Sequence, residues 1–282
     1  MILCVVGPTG VGKTKLSVEL AKHYNAIVVN GDSMQVYKEL NIGTAKVRED
    51  EKEGIEHLLF DIVDVNDMYT VYDYQKDLRH VLDENKDKNI IIVGGTGLYL
   101  KAGLYNYVFN EEDNNENYDE LTNEELYKLV KEKDEDYDIH INNRKRMIRF
   151  LNREENIKDK DKLLYDVKFI GLTTNRDTLY ERINKRVDLM ISDGLIEEVK
   201  SFYDRGIRSK SIMTGIGYKE LYEYFDGNIS LSDAIDLIKQ RSRKYAKRQY
   251  TWFNNQMDVK WFNVDFECFD NTIKEVIRFV GE

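Results

Sequence analysis

Short, largely apolar runs separated by stretches of helical period organise the chain. Met1 to Val6 is one such run, and Ala26–Val29, Asn89–Val93 and Val167–Leu172 repeat it. Each has the length of a strand. Runs that are apolar at nearly every position, rather than every second one, predict parallel strands covered on both faces. After the first run, Lys15 to Tyr24 place Leu16, Leu20 and Ala21 on one face of a helix. Leu231 to Phe253 predict a long amphipathic helix. Its apolar stripe runs through Ala234, Ile235, Ile238, Tyr245, Ala246, Trp252 and Phe253, with Lys239, Arg243, Lys244 and Lys247 opposite. The polar stretch from Asn110 to Lys162 breaks this rhythm and predicts a helical insert between the third and fourth strands. The expected organisation is a core of residues 1–109 and 163–282 with an insert at 110–162.

Composition adds little to the fold but narrows the setting. With 282 residues, 41% of them hydrophobic, the chain can bury one large core, or a core and a small insert. Cys4 and Cys268 lie at opposite ends without a CxxC spacing, so two reduced thiols are expected rather than a disulfide or zinc site. No apolar run approaches a membrane span. The N-terminal run lacks a basic flank and leads into a glycine-rich loop, which reads as a strand rather than a signal peptide. A cytoplasmic protein is expected.

The net charge of −10 changes the picture only through its distribution. Acidic residues crowd the stretch from Glu111 to Asp138. Basic residues crowd Arg144, Lys145, Arg146, Arg149 and Arg153, and again Lys239 to Arg248. A chain acidic overall can therefore still present basic surface to a phosphate backbone.

Gly7-Pro8-Thr9-Gly10-Val11-Gly12-Lys13-Thr14 satisfies GxxxxGK[ST] between an apolar strand and a helix. This is the context in which backbone N–H groups and a helix N-terminus cradle phosphate. Lys13 would reach a terminal phosphate, and the Thr14 hydroxyl would bind Mg²⁺. The fold class that follows is α/β, a P-loop NTPase-like core with a parallel sheet flanked by helices, plus a small helical insert domain. A nucleotide triphosphatase usually ends a neighbouring strand in aspartate. Here the strand at 90–93 ends in Gly94-Gly95-Thr96, and the acid is Asp32, after the second strand. Both Asp32 and Thr96 fall at C-terminal strand ends, where open α/β sheets place their sites. Metal binding, proton acceptance and a turn-forming role all remain open for Asp32 at this level.

These residues resemble the tRNA dimethylallyltransferase (tRNA isopentenyltransferase) family over nearly the whole chain. The P-loop is followed by Asp32-Ser33-Met34-Gln35-Val36-Tyr37 and Ile42-Gly43-Thr44-Ala45-Lys46, then Val93-Gly94-Gly95-Thr96-Gly97-Leu98-Tyr99. Ile139-His140, Asn142-Asn143-Arg144, Gly215 to Glu220, and Tyr245-Ala246-Lys247-Arg248-Gln249 with Thr251-Trp252-Phe253 complete the series. The resemblance implies transfer of a dimethylallyl group from dimethylallyl diphosphate to N6 of the adenosine immediately 3′ of the anticodon. It implies Asp32 as general base, Thr96 as a positioning group, and Lys13, the loop amides and Thr14-bound Mg²⁺ as the diphosphate site. It places Asp32, Ser33, Met34, Gln35 and Thr96 at the tRNA, with Lys145, Arg146 and Arg149 on an insert that grips the anticodon stem-loop. It also suggests a monomer. The chain departs from the family in having Ile141 where proline is common, Asn254 where a basic residue is common, and no counterpart of an arginine near the start of the insert. His140 can be read as catalytic or, at least as readily, as a structural or capping residue. Two other readings stand beside this one: an adenylate isopentenyltransferase acting on free nucleotides, and a small ATP-binding P-loop kinase.

Overall fold

The computed structural model describes residues 1–109, 118–152 and 162–281. Glu111, Glu112, Asp113, Glu116 and Arg153 of the charged clusters lie outside the described residues. The elements, in chain order, are β1 (Ile2–Val6), α1 (Lys13–Tyr24), β2 (Ala26–Asn30), α2 (Glu49–Lys52), β3 (His57–Leu58), α3 (Val71–Glu84), β4 (Asn89–Val93), α4 (Gly97–Leu104), α5 (Asn123–Lys133) and α6 (Arg144–Leu151). Then follow β5 (Val167–Thr173), α7 (Arg176–Ser192), α8 (Leu195–Asp204), α9 (Lys210–Thr214), α10 (Tyr218–Phe225), α11 (Leu231–Gln256), β6 (Lys260–Asn263) and α12 (Phe269–Gly281).

The six strands form one sheet in the order β3-β2-β4-β1-β5-β6, and every pairing is parallel. The continuous apolar runs have the expected cause. Successive side chains of β1 alternate between two cores: Cys4 and Val6 pack with Tyr74, Leu78 and Leu100, while Leu3 and Val5 pack with Leu16, Leu20 and Val276. Cys4, on the central strand opposite Ile92 and Phe169, is fully buried, and Cys268 is exposed. A third core, around Val36, Leu40, Leu195, Phe202, Tyr218 and Ile238, joins the loop after β2 to α7–α11.

The chain divides into two compact units, Met1–Tyr105 with Leu163–Glu282, and Asn106–Lys162. In the second unit α5 and α6 close over Leu126, Val130, Ile139 and Met147. Thr122 and Glu125 form a reciprocal cap at the start of α5. Among the described residues no helix is long and apolar enough to cross a membrane.

Two expectations are corrected. Helix α1 begins at Lys13 rather than Lys15, so Lys13 and Thr14 belong to its first turn, where backbone N–H groups have no intrahelical partner. The expected basic face of α11 is split. Lys239 pairs with Asp188 at 2.6 Å, Arg243 donates to Asn184 Oδ1 at 2.5 Å, and Arg241 donates to buried Glu220. Only Lys244, Lys247 and Arg248 of that face are exposed. The difference arises because α7 and α10 pack against this side of the helix, which helical period alone does not reveal.

Candidate active site

The strand order decides the site. β2, β4 and β1 are adjacent and parallel, with Asn30 opposite Val93 and Val5 also opposite Val93. Their C-terminal ends therefore bring the Asp32 turn, the Gly94–Thr96 loop and the P-loop to one edge of the sheet.

At the P-loop, Gly12 caps α1 with φ 98°, and a Cβ there would lie 2.9 Å from the Phe269 ring. Gly7, Pro8 and Val11 are buried, Thr9, Gly10 and Gly12 are half-buried, and Thr14 is exposed. Lys13 Nζ donates to the Gly7 and Pro8 carbonyls at 3.0 and 2.9 Å. Burial, with Arg186 adding to it against the pull of Asp32, lowers its pKa to about 8.

The Asp32 turn is fixed from both sides. Buried Asn30 accepts from the Asp32 N–H at 2.8 Å and donates to the Asp32 and Leu59 carbonyls, each at 3.0 Å. Tyr74 OH donates to the Asn30 carbonyl. Asp32 Oδ1 accepts from the Met34 N–H at 2.9 Å, so a turn-forming role is present, and one oxygen is committed to it. Burial pushes the Asp32 carboxyl above its ordinary value, against the Met34 amide, Lys13 and Arg186, which favour the carboxylate. Thr96 Oγ1 accepts from the Ser33 N–H at 3.0 Å and lies 3.2 Å from Ser33 Oγ. The two loops touch backbone to backbone: a Cβ on Gly94 would lie 2.1 Å from Gly31. Gln35 donates to the Thr44 and Ala45 carbonyls, which ties it to the loop at 41–46. The Met34 methyl group faces Gly215.

Sequence similarity agrees with this geometry. The family model for IPP transferases matches residues 35–256. A tRNA dimethylallyltransferase of Anoxybacillus flavithermus is 45% identical over 297 residues, spanning 99% of this chain and 96% of its own length. This chain belongs to the IPP transferase family.

The solved structures extend that assignment to the P-loop, which precedes the matched range. The full-length tRNA isopentenylpyrophosphate transferase of Bacillus halodurans aligns with a TM-score of 0.78 at 42% identity, covering 99% of this chain and 95% of that one. A eukaryotic dimethylallyltransferase acting on tRNA aligns with a TM-score of 0.81 at 26% identity, covering 98% of this chain and 77% of that one.

In this transferase four residues join the site that sequence reasoning had not assigned to it. Arg182 and Arg186 are one helical turn apart on α7. Arg182 Nε donates to the Gly10 carbonyl at 3.0 Å, and its guanidinium lies 3.8 Å from the Phe266 ring centroid. Arg186 is close enough to Lys13 and Asp32 to shift the titration of both. Tyr245, read as part of an apolar stripe, stands beside Asp32, Thr96 and Gln249, and burial raises its pKa. Gln249 contacts both the P-loop and the Gly95 loop. An i,i+4 arginine pair on a helix following a strand was visible in the sequence, but nothing local tied it to the P-loop.

The insert residues lie in the second unit. Lys145, Arg146 and Arg149 are exposed on α6, Arg146 donating to Tyr137 OH at 3.3 Å. Arg144 instead serves the fold: its guanidinium donates to the Leu121 and Tyr118 carbonyls, both at 2.6 Å. His140 is exposed and accepts from the Asn142 N–H at its Nδ1, a local turn contact.

The donor set suits Mg²⁺ held together with a substrate. Among the described residues no three His, Cys, Asp or Glu side chains form a metal cluster, while Thr14 offers an exposed hydroxyl in the first turn of α1. Mg²⁺ commonly takes few protein oxygens and completes its shell with water and substrate phosphates.

Proposed function

We propose that this chain transfers a dimethylallyl group from dimethylallyl diphosphate to N6 of the adenosine immediately 3′ of the anticodon in tRNA, releasing diphosphate, and works as a cytoplasmic monomer. The reading rests foremost on one arrangement. A carboxylate made more basic by burial sits on a turn bonded to Thr96, within electrostatic reach of the P-loop lysine. A P-loop and a buried carboxylate thus stand side by side, with no aspartate at the end of β4, which supports a phosphate site next to a proton acceptor.

The donor's diphosphate would lie on the P-loop amides and the N-terminus of α1, with Lys13 and Arg186 as counter-charges. Thr14 would hold Mg²⁺, which would supply charge neutralisation to the leaving diphosphate. As the C1–O bond breaks and the N6–C1 bond forms, Asp32 takes the N6 proton and the electrons of the broken bond leave with diphosphate. Ser33, Met34, Gln35 and Thr96 would border the acceptor base, which must leave the anticodon-loop stack to enter. Lys145, Arg146 and Arg149 would supply phosphate contacts in the second unit.

Mass spectrometry of an anticodon stem-loop incubated with the protein, Mg²⁺ and dimethylallyl diphosphate tests the reading. Gain of one C5H8 unit on the adenosine 3′ of the anticodon, lost in Asp32→Ala, is expected. Modification of free AMP but of no RNA, or ATP turnover without prenyl transfer, would overturn it.

A further inference from the structure

Gln249 joins the two halves of the site. Gln249 is 5% exposed; its Oε1 accepts from the Thr9 N–H at 3.0 Å, and Nε2 donates to the Gly95 carbonyl at 3.0 Å. The orientation of the amide is unambiguous, because Thr9 offers a donor and Gly95 an acceptor. Thr9 lies in the P-loop, and Gly95 directly precedes Thr96. A Cβ at Gly95 would lie 2.0 Å from Gln249 Nε2, so any larger residue there must displace the carboxamide. The helix that carries Gln249 is itself anchored, since Ala246 and Phe253 on either side of it are fully buried. One rigid side chain therefore spans the loop for the leaving group and the loop for the acceptor.

We propose that Gln249 is a positioning residue that sets the spacing between the donor's diphosphate and the acceptor nitrogen. The inference rests on the prenyl-transfer reading above. Both substrates keep their own contacts when Gln249 is replaced, so the cost falls on the chemical step, where small misplacements are expensive. As the C1–O bond breaks with N6 out of line, a water oxygen bonds to C1 instead and releases a proton to the medium. The products are then dimethylallyl alcohol and diphosphate.

The test compares native protein with Gln249→Met, which keeps the length of the side chain without its hydrogen bonds, and with Gly95→Ala, which displaces the carboxamide from the other side. Thermal midpoint, kcat, KM for each substrate, and the ratio of alcohol to prenylated stem-loop are measured. For Gln249→Met a fall in kcat of about 10- to 100-fold is expected, with KM for both substrates within about threefold of native and a raised alcohol share. Gly95→Ala gives the same signature, and the double variant is no worse than the more impaired single one. An unchanged kcat and alcohol ratio in the folded variants would sink the role of Gln249, as would a loss confined to KM. If Gln249→Met does not fold, Gly95→Ala decides by the same readouts. Absence of transfer by the native protein would instead remove the function on which the inference stands.

Discussion

Because burial raises the Asp32 carboxyl, the proton that silences it is taken up at a higher pH than by an exposed aspartate. In the proposed role of general base the neutral acid cannot accept from N6, so activity is expected to fall as pH falls through that raised value. Lys13 and Arg186 pull in the opposite direction by favouring the carboxylate. Replacing Arg186 with Met removes one of them, and the acidic limb of the pH profile of kcat/KM for tRNA should move to higher pH. A limb that stays put or moves to lower pH would contradict the electrostatic coupling. Asp32→Ala should lower kcat by about 10²- to 10⁴-fold, the usual share of a general base. Its thermal midpoint should stay near native, because Asn30 still holds the turn through the Asp32 backbone.

Between elements, one side chain organises the loop that follows the Asp32 turn from a distance. The Glu198 carboxylate on α8 accepts from the N–H groups of Asn41, Ile42 and Gly43 at 3.2, 2.8 and 3.2 Å, and from Tyr218 OH at 2.6 Å. The loop it gathers is the one that holds Gln35 through the Thr44 and Ala45 carbonyls. Glu198→Ala strands the hydroxyl of fully buried Tyr218 and should lower stability by about 2–3 kcal/mol, seen as a drop in denaturant midpoint with unchanged slope. KM for tRNA should rise alongside. The sequence pattern did reveal β1, β2, β4 and β5, because strands buried on both faces are apolar at nearly every position. It left β3 and β6 unseen: His57–Leu58 is only two residues long, and Lys-Trp-Phe-Asn on the opposite edge is polar at both ends. Helices such as α10, Tyr-Lys-Glu-Leu-Tyr-Glu-Tyr-Phe, carry aromatic residues that suit strand and helix alike, and tertiary packing settles them. The P-loop, Asp32 and Thr96 were legible as local motifs. Arg186, Tyr245 and Gln249 were not, because their partners lie more than 140 positions away in the chain, or because their contacts are made across a helix interface.

At the scale of the whole molecule, a net charge of −10 opposes association with RNA, so binding has to come from local basic surface. Substituting Lys145, Arg146 and Arg149 with Ala should weaken stem-loop binding and flatten its salt dependence, the slope falling by about one for each phosphate left without its cation. Titration of binding against salt concentration measures this, and an unaltered slope would exclude these residues as phosphate ligands. The two cysteines give the molecule a built-in clock. Cys268 is open to a thiol reagent at once, whereas Cys4 is sealed in the middle strand of the sheet, with its thiol held protonated by burial. Labelling of the second thiol can therefore proceed only as fast as the sheet comes apart. Any ligand that settles on the loop directly after that strand should slow the reaction in proportion to its occupancy, so an unmodified chain would report the affinity of the proposed donor without a single turnover.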